Sequence, residues 1–158
     1  MMISYEHESI QYHTTTGGII IHEGKVLLQR ERNQPYWFLP GGSVEAEDSP
    51  EYTIGKMIYD WLGVPVISEQ QVWLIENVIE LPISPTIQIH ESGMFFLLEL
   101  PLKHPIFKKT CEFAGANKDY VYKWIPLDEL ERHWVVPEFV VPELKDINTA
   151  NGIKHIVS

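Results

Sequence analysis

Residues 37–64 read WFLPGGSVEAEDSPEYTIGKMIYDWLGV: a short apolar segment, a glycine pair that reads as a turn, a run of acids, and then a stretch with a start and a stop for a helix. Ser49 has the side chain of an N-cap, Pro50 suits the first helical position, and Glu51 puts negative charge on the positive end of the helix dipole. Gly63 supplies the left-handed residue that ends the helix. Between them Ile54, Met57, Ile58, Trp61 and Leu62 recur at three- and four-residue intervals, so the segment is expected to be an amphipathic helix despite Gly55.

On the N-terminal side, TTTGGIIIHEGKVLLQRER reads as a hairpin: a strand over Gly18 to Ile21, a turn at Glu23-Gly24, and a second strand from Lys25 to Gln29. WFLP reads as a short strand stopped by Pro40. Downstream, VPVISEQQVWLIENVIEL, IQIHESGMFFLLEL and DYVYKWIPL are rich in β-branched and aromatic residues and read as strands. LDELERHW and PELKDIN read as helical, with Pro142 opening the second because it would break a helix that ran through it. Strands, a capped helix, more strands and terminal helices indicate a sheet covered on both faces.

The chain has 158 residues, 44% of them hydrophobic, enough for one core; it is read as a single domain over 1–158. Eleven scattered prolines mark loops, and there is no internal repeat. A net charge of −10 without a basic patch argues against nucleic acid as a partner. The lone Cys111 excludes an internal disulfide and a cysteine-built zinc site, and fits a reducing cytoplasm. The start, MMISYEHESIQYH, lacks a basic region followed by an apolar one, and no apolar run reaches bilayer length, so neither export nor a membrane partner is expected.

The glycine pair, the acids, the capped helix and Leu62-Gly63-Val64 together resemble the Nudix hydrolase family. Its signature runs Gly, five residues, Glu, seven residues, Arg-Glu, an aliphatic, any residue, Glu-Glu, any residue, Gly, an aliphatic. Counted from Gly42, the first Glu position falls on Asp48, the aliphatics on Ile58 and Val64, and the last glycine on Gly63. WLIENVIEL, IHESGMFFLLEL and YKWIPLDEL resemble the strands and Trp-containing segment of a small-nucleotide branch, so the likeness covers roughly Thr15 to Leu144. It implies an α/β fold, an α/β/α sandwich with a mixed β-sheet. It also implies divalent-metal-dependent cleavage of a pyrophosphate bond in a nucleoside diphosphate linked to another group, with Mg2+ or Mn2+ as cofactor, a small phosphorylated, nucleotide-type partner, and a homodimer as one assembly.

Two departures bear on that implication: Arg-Glu is here Lys56-Met57, and Glu-Glu is Asp60-Trp61. Magnesium wants about six oxygen ligands, and neither a thioether nor an indole supplies one. Met57 and Trp61 are four apart and share a helix face, which the family arrangement points at the glycine pair. The family's pattern leaves Glu45, Asp60 and Glu91, with the Gly42 backbone, as candidates for a thinned metal site. It leaves Glu91, Asp60 and Asp48 as candidates for the catalytic acids. Arg30, Arg32, Gly41, Gly42 and Lys56 are the candidate substrate contacts. In another reading Lys56 pairs with Asp60 and substitutes one positive charge for a metal, which favours binding over hydrolysis.

Blander readings stand beside these. Glu47 and Glu51 read as a solvated loop and helix capping. Met57 and Trp61 read first as core packing or a dimer contact, with stacking on a nucleobase as a further role for Trp61. Exposed arginines such as Arg30 and Arg32 are commonly idle. His90 reads as structural, and Cys111 as a buried or inert thiol. Three functions are thus open: a pyrophosphohydrolase, a nucleotide-binding or regulatory protein that has lost turnover, and an oligomeric or structural role resting on the apolar helix face.

Overall fold

The computed structural model describes residues 8–81, 86–147 and 152–157; of the segments read above, Met1–His7 and Asn148 lie outside them. The capped helix forms over Pro50–Leu62 (α1). Ser49 is extended and its Oγ accepts the Tyr52 N–H at 3.1 Å, while Gly63, at φ 69°, donates its N–H to the Tyr59 carbonyl. Each cap satisfies a backbone group that the helix itself leaves unpaired.

Strands β1 (Glu8–Ile19), β2 (Ile21–His22), β3 (Lys25–Glu31) and β4 (Gly41–Ser43) precede the helix. Strands β5 (Ser68–Leu81), β6 (Thr86–Glu99), β7 (Phe113–Ala114), β8 (Tyr120–Pro126) and β9 (Lys154–Val157) follow it. They make a five-stranded sheet in the order β4-β1-β6-β5-β9 and a four-stranded sheet in the order β2-β3-β8-β7. The first is the expected mixed sheet, since β1 runs parallel to β6 and antiparallel to β4. The second is antiparallel throughout.

Apolar side chains are buried on both sides of β3. Along β3, Val26 and Leu28 enter one core with Ile19, Trp73 and Leu144, while Leu27 between them enters another with Ile54, Ile58 and Phe96. Because side chains alternate across a strand, the two cores lie on opposite sides of the sheet. Helix α1 closes one, and α2 (Val140–Lys145) closes the other through Val140 and Leu144. This is the α/β/α arrangement that the sequence implies.

Four local expectations are corrected. The first strand starts at Glu8, far earlier than Gly18, because β6 offers it a parallel partner along its whole length. WFLP is no strand: Trp37 bonds Trp134 and Val136 while Phe38 bonds Gln29, so neighbouring residues serve different partners and no ladder grows. Leu127–Arg132 winds as a 3₁₀ helix. Helix α2 opens at Val140, two residues before Pro142, whose missing N–H falls in the first turn, where it would have had no helical partner.

Candidate functional site

Gly41 and Gly42, read as a turn, are strand β4. Their backbone lies against β1 so closely that a Cβ on Gly41 would stand 2.2 Å from the Thr16 carbonyl oxygen. Only glycine permits that approach. Beside this strand lies a pocket of about 290 Å³, walled by Gly41 and Gly42, by Asn77 and Glu91 from the adjacent strands β5 and β6, and by Phe38 and Phe139.

The pocket gathers only part of the candidate set. Glu91 is half-buried and faces Asn77 across the β5/β6 ladder, with His13 as its neighbour on β1. Among the described residues neither Glu91 nor Asn77 has a side-chain hydrogen-bond or salt-bridge partner. Asp60 is exposed on α1, and its Oδ2 accepts from Lys56 Nζ at 2.6 Å. That hydrogen bond, with the Asp60 charge behind it, raises the Lys56 pKa above its ordinary value. Glu45 and Asp48 are exposed in the loop before the helix, closed by an Asp48 N–H to Glu45 carbonyl bond of 3.0 Å.

Met57 does face the glycine strand. A Cβ on Gly42 would lie 2.8 Å from its methyl carbon and 3.6 Å from its sulfur, so the thioether fills the space next to that backbone. Trp61 turns away and stacks on Tyr120, with ring centroids 6.3 Å apart and planes 13° from parallel. Its backbone carbonyl accepts the Ala116 N–H at 2.8 Å. The one shared face therefore serves two neighbours.

These positions test whether the residues suit a divalent ion. Among the described residues no group of three or more His, Cys, Asp or Glu side chains converges to hold a metal. Glu45, Asp60 and Glu91 are accordingly not assembled into one ligand set, and a thioether occupies the ground beside Gly42. Of the three candidate carboxylates, only Glu91 borders the pocket.

Arg30 is spent on the fold. Its Nη1 donates to the carbonyls of Glu31, Arg32 and Gln34, its Nη2 meets Glu112 at 3.2 Å, and its guanidinium lies over the Trp37 ring. Arg32 donates through Nε to the Lys118 carbonyl and remains exposed. His90 sits beside the Tyr12 ring and bonds Gln88, as a structural histidine does. Cys111, read as a buried or inert thiol, is exposed.

Asn77, Phe38 and Phe139 escaped the sequence reading. For Asn77 a signal existed: in WLIENVIEL, Trp73, Ile75 and Asn77 fall on one face by twos, so a polar residue interrupts the apolar row. Phe139 carried none, because it enters the pocket from the segment before α2.

The NUDIX domain family model matches residues 11–144. MutT, from a study of the Aliivibrio salmonicida and Vibrio cholerae proteins, is similar in fold at a TM-score of 0.58 and 17% identity, over 86% of this chain and 96% of that one. A Bacillus halodurans MutT protein gives 0.55 at 17% identity, over 84% and 81%. An ADP-ribose pyrophosphatase from Streptococcus suis gives 0.54 at 15% identity, over 90% and 98%. No curated protein sequence matches significantly, and identities this low carry the fold alone. With the family model spanning most of its length and the capped helix, glycine strand and sandwich all in place, the chain belongs to the Nudix family.

Proposed function

We propose that this protein holds a small molecule in the Gly41–Gly42 pocket without cleaving it by divalent-metal chemistry, as a binding or regulatory member of a hydrolase family. The observation that carries this reading is Met57: its thioether lies against Gly42, where the family signature has a carboxylate. Nudix hydrolases generally use divalent metals, and the oxygen donors for one are dispersed here among the described residues. Asp60, the remaining helix acid of the signature, is engaged with Lys56.

A second reading, cleavage of a nucleoside diphosphate linked to another group with Mg2+ or Mn2+, is favoured by Glu91 sharing the pocket with the Gly41–Gly42 backbone. One protein of similar fold is an ADP-ribose pyrophosphatase. The third role, an oligomeric contact through the helix face, has less support, because Met57 and Trp61 both find partners within the chain. A single thiol suits a reducing cytoplasm.

Incubation with a panel of nucleoside-diphosphate conjugates and Mg2+ or Mn2+, followed by phosphatase and phosphate detection, tests the proposal. We expect no release above that of the Asp60→Ala/Glu91→Ala double variant. Metal-dependent release that the double variant lacks establishes the second reading instead.

A further inference from the structure

We propose that the pocket beside β4 takes a compact planar nitrogen cation, an amidinium, guanidinium or protonated heteroaromatic ring, with Glu91 as its counter-ion. This rests on the binding reading above and names the ligand class. Among the described residues that wall the pocket, Glu91 is the one ionisable side chain, and none is a lysine or arginine. It is half-buried, and neither it nor the facing Asn77 has a side-chain partner among the described residues. An ionised carboxylate only accepts hydrogen bonds, so a ligand that covers Glu91 must donate to it or leave it desolvated and unpaired. A charged N–H donor meets that demand best, and a planar one can engage both carboxylate oxygens.

An anion in the same place meets repulsion from Glu91, with no basic side chain among the described residues of the wall to offset it. The walls point the same way. Phe38, Phe95 and Phe139 line the pocket, and aromatic ring faces attract cations. Thr16 has no free O–H to donate, since its Oγ1 already donates to the Pro50 carbonyl, and Thr15 brings the other hydroxyl of the wall. At about 290 Å³ the space lies at the low end for small-molecule sites, which suits a single ring bearing a small charged group.

Calorimetric titration of the full chain in EDTA with benzamidine, its neutral near-isostere benzamide, and ADP tests the assignment. We expect benzamidine to bind at least tenfold tighter than benzamide, and Glu91→Gln to abolish that preference while the thermal melt stays cooperative. Phe139→Leu should weaken benzamidine several-fold and leave its preference over benzamide intact. Equal binding of benzamidine and benzamide, or ADP binding tighter than benzamidine in EDTA, overturns the proposal. Metal-free ADP binding without turnover would overturn this ligand class yet leave the binding reading standing, whereas metal-dependent hydrolysis would remove the binding reading itself.

Discussion

At position 57 the chain carries methionine where the family signature has glutamate. Methionine places a soft, apolar thioether against the Gly42 backbone, where a carboxylate would offer hard oxygens. Met57→Glu is therefore expected to raise Mn2+ affinity roughly tenfold, worth ~1.4 kcal/mol, in a paramagnetic-resonance titration. Unchanged affinity would place the deficit elsewhere. Lys56 and Asp60 are a different case. Their pair is exposed and screened by solvent, so Lys56→Ala should leave the thermal melt essentially unmoved. Tyr122 is buried, and burial pushes its pKa up to about 12. The unfolded chain releases this proton near pH 10 while the folded chain keeps it, so stability should fall between pH 10 and 12, by at most ~1.4 kcal/mol per unit. Ultraviolet titration of tyrosinate should show a late-ionising group that Tyr122→Phe removes.

At the scale of the element, α1 was legible because its signals are local. Ser49, Pro50 and Gly63 act through backbone groups within one turn, and the structure uses each as read. Ser49→Ala should cost ~0.5–2 kcal/mol in chemical denaturation. Gly55 sits mid-helix with nothing within 4 Å of an added Cβ, so Gly55→Ala should stabilise by ~0.5–1 kcal/mol, and a loss would reveal contacts not evident here. The glycine pair was misread for the opposite reason. A Gly-Gly sequence permits both a tight turn and a close strand crossing, and the choice was made by β1, remote in sequence. Met57 and Trp61 were correctly placed on one helix face. Their separate destinations depend on Tyr120 and Gly42, which periodicity cannot see.

Across the whole molecule, the sandwich follows from strands with apolar residues on both sides. Val26, Leu27 and Leu28 are all fully buried, which requires cover above and below, and α1 and α2 provide it. That much is written in composition and order. The pocket is not, because it assembles Glu91, Asn77, Gly42 and Phe139 from four separated segments, and only the finished register brings them together. The same long-range geometry kept Asp60 and Glu45 out of the wall. The proposed binding role requires a pocket that takes its ligand without a divalent ion. The direct measurement is a titration of the wild-type protein with Mn2+ followed by electron paramagnetic resonance. A signal that tracks free ion, with no stoichiometric site below millimolar, is the predicted result; one tight site per chain, lost in Glu91→Gln, would contradict it.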